Sequence, residues 1–116
     1  NPINTTSTSF VDLPNLAATV TIPKGKVADV LILFSGMMNS PSALYVRSVI
    51  GAAEASPGPF QAFWGVNGGA TTQSANFSGF LGEGTHTIKM QWRGLSGQQF
   101  MSTRNMIILL NLRKAS

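Results

Sequence analysis

Gly82-Glu83-Gly84-Thr85-His86-Thr87-Ile88-Lys89-Met90-Gln91-Trp92-Arg93 is a glycine-bearing turn feeding a strand of strict alternation. His86, Ile88, Met90 and Trp92 fall on one face. Thr85, Thr87, Lys89, Gln91 and Arg93 fall on the other. Successive side chains of a β-strand point to opposite sides of the pleat, so a period of two predicts a strand with one face buried. After a short loop comes Met106-Ile107-Ile108-Leu109-Leu110, apolar throughout. These two strands predict the spine of an all-β domain.

The same alternation extends upstream. Leu16, Ala18, Val20 and Ile22 line one face of a strand that follows a turn at Leu13-Pro14-Asn15, where Asn tolerates a left-handed conformation. Pro23-Lys24-Gly25-Lys26 is a turn. Residues 27–34 form a strand apolar on both faces, interrupted by Asp29, and residues 35–42 read as a loop. Leu44, Val46 and Ile50 alternate with Tyr45, Arg47 and Val49. Residues 51–58 have room for one helical turn, too short to be a stable helix. Phe60, Ala62, Trp64 and Val66 share a face, and Asn67-Gly68-Gly69 closes that strand. Residues 71–80 form a polar strand carrying Ala75 and Phe77 on one side. Residues 98–102 and 104–112 are the last two strands. Eight or nine strands with turn signals every 8–12 residues point to a sandwich or barrel with no significant helix.

The 116 residues suffice for one domain, residues 1–116, with residues 1–9 as an arm or edge strand. Cysteine is absent, which removes disulfides and thiolate metal sites. Only 10% of residues are charged, and the net charge of +4 arises because Asp12, Asp29, Glu54 and Glu83 are the only acids. The basic residues are dispersed rather than striped among aromatics, so nucleic acid is not expected as a partner. No apolar run approaches the ~20 residues of a spanning helix, so no membrane insertion is expected. The first residue is Asn1 rather than Met, as in a processed chain or a piece of a longer one.

Two strands, residues 27–34 and 106–110, are apolar on both faces, yet a sandwich buries only one face of each sheet. An exposed apolar strand is an aggregation hazard, so a partner is expected over the second face. Leu31, Leu33, Ile107 and Leu109 are the candidate oligomer-interface residues. The competing account is that long side chains such as Lys89 or Arg113 cover that face.

Two stretches together carry a resemblance. One is Thr6-Ser7-Thr8-Ser9-Phe10-Val11-Asp12-Leu13-Pro14-Asn15-Leu16 with the strand after it. The other is Gly84 to Arg93 with Arg104 and the apolar final strand. The arrangement resembles small jelly-roll modules of bacteriophage virion proteins, the capsid decoration and fibre-tip type, similar in shape to the trimeric C1q and tumour-necrosis-factor domains. The resemblance implies an antiparallel jelly-roll β-sandwich of about eight strands, assembled as a homotrimer on the virion surface. The partners it implies are other virion proteins such as the major capsid protein and, for a fibre knob, host surface glycans.

The residues themselves favour no catalysis. His86 is the one histidine and shares a face with Ile88, Met90 and Trp92, which reads as a core or rim position rather than a metal ligand. Asp29 is the one acid inside an apolar strand, and Arg47 or Arg104 are its candidate partners. No nucleophile elbow is present, and the glycine turns open no helix that would cradle a phosphate. No catalytic residue, metal ligand or cofactor is expected. Tyr45, Trp64 and Asn67 are the ligand-binding candidates: aromatic faces stack on sugars, and small polar loops such as 37–42 and 67–72 suit surface contact. Of the aromatics, Trp64 and Trp92 fit core packing, and Tyr45, beside Arg47, is expected to be the most exposed. With the resemblance, the expected function is that of a non-enzymatic virion structural protein. The alternative is a carbohydrate-binding module or lectin.

Overall fold

The computed structural model describes residues 3–40, 43–64 and 71–115. The strands are β1 (Ile3–Thr5), β2 (Val11–Ile22), β3 (Lys26–Asn39), β4 (Ala43–Ile50), β5 (Ala53–Glu54), β6 (Phe60–Trp64), β7 (Thr71–Leu81), β8 (Gly84–Gly94) and β9 (Gln99–Lys114). No helix occurs among the described residues. The strands form two antiparallel sheets. The first has the order β1-β9-β3-β7 and the second β2-β8-β4, with β5 and β6 both on the free edge of β4.

The pairing is nested. β1 pairs with β9, β2 with β8, β3 with β7, and β4 with β5 and β6. The chain is therefore one long antiparallel ribbon folded at the β4 end. Wrapping that ribbon adds the pairs β3–β9 and β4–β8 and splits it into two facing sheets. Taken together, β5 and β6 are two pieces of one broken edge strand, which gives the eight strands of a jelly-roll-like sandwich; the alternation predicts a sandwich or barrel, and the resemblance implies the jelly roll.

The core is the space between the sheets. Ala28, Val30, Ile32, Phe34 and Met38 of β3, with Phe77 and Leu81 of β7, face Leu44, Val46 and Ile50 of β4 and Ile88, Met90 and Trp92 of β8, all buried. The sequence alternation of β3, β4, β7 and β8 maps directly onto these inner faces. Two glycines make room for cross-packing. A Cβ on Gly79 would lie 2.7 Å from Ile50 Cδ1, and one on Gly94 would fall inside the buried amide of Gln99. Gly in a strand interior marks such close approaches. The β2–β3 turn and the β7–β8 turn are joined by one hydrogen bond, since Glu83 Oε1 accepts from Gly25 N at 3.2 Å.

Several boundaries differ from the sequence reading. Leu13-Pro14-Asn15 is no turn: β2 runs through it as a bulge between Asp12 and Ala17, with Asn15 at φ 64°. An extra stretch is absorbed without ending the strand, because the flanking residues keep the same partner β8. Residues 35–39 are not loop but the continuation of β3, since Met38 pairs with Thr71 on one side and Met101 on the other. Met37 therefore presents a strand face rather than a loop. The helical turn at 51–58 is replaced by β5 and by a bridge between Ser56 and Ser78 that buries Ala55. The two final strands are one, β9, whose Gln99–Met101 segment pairs with β1 while its length pairs with β3. The residues at 1–9 do supply an edge strand, β1.

Candidate functional site

Two outer surfaces carry the unusual chemistry, one on each sheet. On the first sheet, Leu31 is directly opposite Leu109 and Leu33 opposite Ile107 across the β3–β9 pair. These four apolar side chains form one block on the solvent face. Leu31 is 38% exposed, Ile107 46% and Leu109 49%, and Leu33 is half-buried. Phe80, 55% exposed, continues the block onto β7. The sequence-predicted interface residues are thus brought together on a single face. Of the two long side chains considered as covers, Lys89 is on the other sheet, paired to Asp12 at 3.0 Å, and Arg113 reaches only the rim. There its guanidinium lies 5.6 Å from the Phe80 ring and pairs with Asp29 at 3.1 Å. Arg113 is therefore the partner of Asp29, in place of Arg47 or Arg104. Register explains it: Asp29 faces Asn111, two residues from Arg113, on the adjacent strand.

β9 also leaves an edge open. β1 covers it only at Gln99–Met101, and the β2 bulge reaches it at Arg104, whose Nε donates to Pro14 O at 3.2 Å. Beyond that point no strand pairs with this edge among the described residues. Residues 105–114 there include Leu110 and Leu112, 38% and 48% exposed.

The outer face of the second sheet is polar and aromatic. Tyr45 of β4 is opposite Arg93 of β8, and the next row reads Asp12–Gln91–Arg47 across β2, β8 and β4. In that row Arg47 Nε donates to Gln91 Oε1 at 2.9 Å, and Gln91 Nε2 donates to Asp12 Oδ1 at 2.8 Å. Arg47 also pairs with Glu54 at 3.0 Å. Phe10 lies across these rows, with the guanidinium carbons of Arg47 and Arg93 at 4.3 and 5.4 Å from its centroid. Arg93 stacks 4.3 Å over the half-buried Tyr45 ring. Tyr45, expected to be the most exposed of Tyr45, Trp64 and Trp92, is half-buried with a guanidinium over its ring, while Trp92 is buried. Trp64 belongs to β6, but its side chain lies outside the description, as does Asn67 altogether.

The sequence reading missed Phe10, Gln91 and Arg93 as parts of one surface. Alternation alone places Gln91 with Arg93 and Tyr45 with Arg47, each pair on its own outer face. What it lacks is the β4–β8 register that sets the pairs side by side. His86 is a rim residue whose Nε2 lies 2.9 Å from Gly82 O, and among the described residues no group of three potential metal ligands converges.

The Asp12 carboxyl is held below its ordinary value of 3.8 by the hydrogen bonds from Gln91 and Lys89, which outweigh the opposing effect of burial, with the Lys89 charge adding least. A group whose folded pKa is depressed contributes stability above its unfolded value and loses it as pH falls through the folded one. Asp12 is 60% exposed, so solvent screening keeps the contribution small. Asp12→Asn is expected to flatten the acid limb of the melting temperature from about pH 5 downward. Superimposable acid limbs in a calorimetric pH series would refute this.

No protein-family model matches the chain, and no curated protein sequence matches it. Solved structures similar to the chain include two carbohydrate esterase structures. One is an active site mutant of a family two carbohydrate esterase from Clostridium thermocellum, at 18% identity and a TM-score of 0.38, covering 94% of this chain and 33% of that one. The other is a family two carbohydrate esterase from the same organism in complex with cellohexaose, at 17% identity and a TM-score of 0.37, covering 91% and 32%. The chain spans about a third of the length of these structures.

Proposed function

We propose that this jelly roll is a non-enzymatic structural protein of a bacteriophage particle, a homotrimer displayed on the virion surface. The observation that supports it is the apolar block of Leu31, Leu33, Ile107 and Leu109 on the outer face of the first sheet, beside the open edge of β9. A β-sandwich that stands alone covers its outer faces with polar side chains. Among the described residues this one does so on the second sheet and on β7 up to Phe80, but not along the β3–β9 pair of the first. Apolar outer faces and long unpaired edges are where sheets associate, and association of like chains closes most economically with symmetry. The threefold order comes from the resemblance to trimeric jelly-roll modules.

In this reading the first sheet assembles the trimer and the second faces outward. As a decoration protein the trimer binds the finished shell and not its free subunits, so mass action stabilises the shell. As a fibre knob it meets the host surface, and the polar face of the second sheet is the contact surface. Light scattering coupled to size exclusion tests the assembly directly. A mass three times that of the 12.3 kDa chain is expected, and a monomer at all concentrations overturns the proposal.

A further inference from the structure

Each of the four side-chain carboxylates is engaged. Asp12 accepts from Gln91 and Lys89, Asp29 pairs with Arg113, Glu54 pairs with Arg47, and Glu83 accepts from the Gly25 amide. Arg93 is left with none of them. Its hydrogen bond is a long one, Nη1 to Gly94 O at 3.5 Å, at the limit of useful geometry. Its guanidinium carbon lies over the rings of Tyr45 at 4.3 Å and Phe10 at 5.4 Å. With the rings against its face, the N–H edge of the guanidinium is spent only on that long contact. That edge is a planar fork that matches a carboxylate bidentately.

The neighbouring row sets the size of the ligand. Asp12–Gln91–Arg47 lies two residues along the strands from Arg93, about 7 Å away. One pyranose ring with its substituents bridges that distance. The row offers a carboxylate, an amide and a guanidinium already linked by hydrogen bonds, the donor and acceptor set that sugar hydroxyls need. Around it, Arg47, Lys89 and Arg93 outnumber Asp12 and Glu54 by one charge, and the surplus is that of Arg93.

We propose that the outer face of the second sheet binds a uronic acid residue of a surface polysaccharide. Its carboxylate sits on the N–H edge of Arg93, and its hydroxyls sit on the Asp12–Gln91–Arg47 row. Nucleic acid fits less well. The Phe10 and Tyr45 ring faces that would stack on bases carry guanidinium groups, and Asp12 repels phosphate. The biological setting rests on the attachment reading above, but the site itself needs no trimer, since these side chains belong to one chain.

Titration calorimetry with oligogalacturonate tests it, with neutral maltohexaose and a single-stranded oligonucleotide as comparison ligands. Wild type is expected to bind oligogalacturonate and neither of the others. Arg93→Gln is expected to weaken binding by about tenfold or more, the loss of a charge-assisted bidentate contact. Arg93→Lys keeps the charge but not the fork, so it is expected to weaken binding nearly as much, and it supplies the reading if Arg93→Gln melts early. Arg113→Gln makes the same charge change on the other sheet and is expected to leave binding unchanged. No oligogalacturonate binding by wild type, equal loss in Arg93→Gln and Arg113→Gln, or preference for the oligonucleotide each overturns the proposal. Light scattering on the same samples separates the two readings. Binding by a monomer leaves this inference standing and sinks the trimer, and an intact trimer without binding does the reverse.

Discussion

Trp92→Ala is expected to cost about 3–5 kcal/mol of unfolding free energy, the range for truncating a buried aromatic in a close-packed core. Trp92 is 1% exposed and sits on the central strand β8 of the second sheet, between Val11 of β2 and Val46 of β4. It is the largest of the fully buried side chains among the described residues. The loss has two parts. The apolar surface is no longer removed from water, and the facing sheet cannot collapse into the gap, because its strands are pinned by their own ladders. A domain of this size has about 5–15 kcal/mol in total, so the variant forfeits a large share of it. Urea unfolding at one fixed protein concentration checks this, since an associating protein gains apparent stability with concentration. The midpoint should fall with an unchanged slope. Leu95→Ala, at a site 57% exposed in the β8–β9 loop, serves as the control and is expected within about 0.5 kcal/mol of wild type. A Trp92→Ala loss no larger than that of the control would mean the core is not where the inner faces place it.

The period of two carried the inner faces without help from anything else. Ile88, Met90 and Trp92, Leu44, Val46 and Ile50, and Val30, Ile32 and Phe34 were all readable because one face of each strand is dry and the other wet. Boundaries were less readable where punctuation residues serve inside strands. Pro14 and Asn15 normally end a strand, but here the β8 partner on both sides of them holds β2 together through a bulge. Gly36 reads as a loop residue, yet it pairs with Gln73 and Arg104, so β7 carries β3 through it in register while β9 shifts register just beyond. Cross-strand register is the quantity that composition and spacing do not contain. It decides that Asp29 meets Arg113, that Leu31 meets Leu109, and that Tyr45 meets Arg93. The apolar block was legible because each of its strands is doubly apolar by itself. The Arg93 surface was not, because its members are ordinary residues until the register assembles them.

The double substitution Ile107→Asp with Leu109→Asp is expected to turn the proposed trimer into a folded monomer. Ile107 and Leu109 face Leu33 and Leu31 and are still 46% and 49% exposed in the single chain. Full burial of such a side chain stabilises by about 1.5–3 kcal/mol, so each has on the order of 1 kcal/mol left to gain against a partner. Repeated over the four residues of the block in every protomer, that is enough to drive association. Aspartate reverses the sign. In the isolated protomer its carboxylate points to water and costs little beyond a strand-propensity loss on the order of 1 kcal/mol. Inside an apolar interface two carboxylates per protomer would be desolvated without partners, at several kcal/mol each. Folding and assembly therefore respond differently, and two measurements on one sample separate them. Light scattering is expected to fall from three times 12.3 kDa to one, while the far-ultraviolet circular dichroism stays that of the wild-type sandwich. A variant that keeps the wild-type mass would place the interface elsewhere, with the open edge of β9 at residues 105–114 the next surface to change. A wild type that is already monomeric would leave the apolar block without a partner copy and overturn the trimer outright.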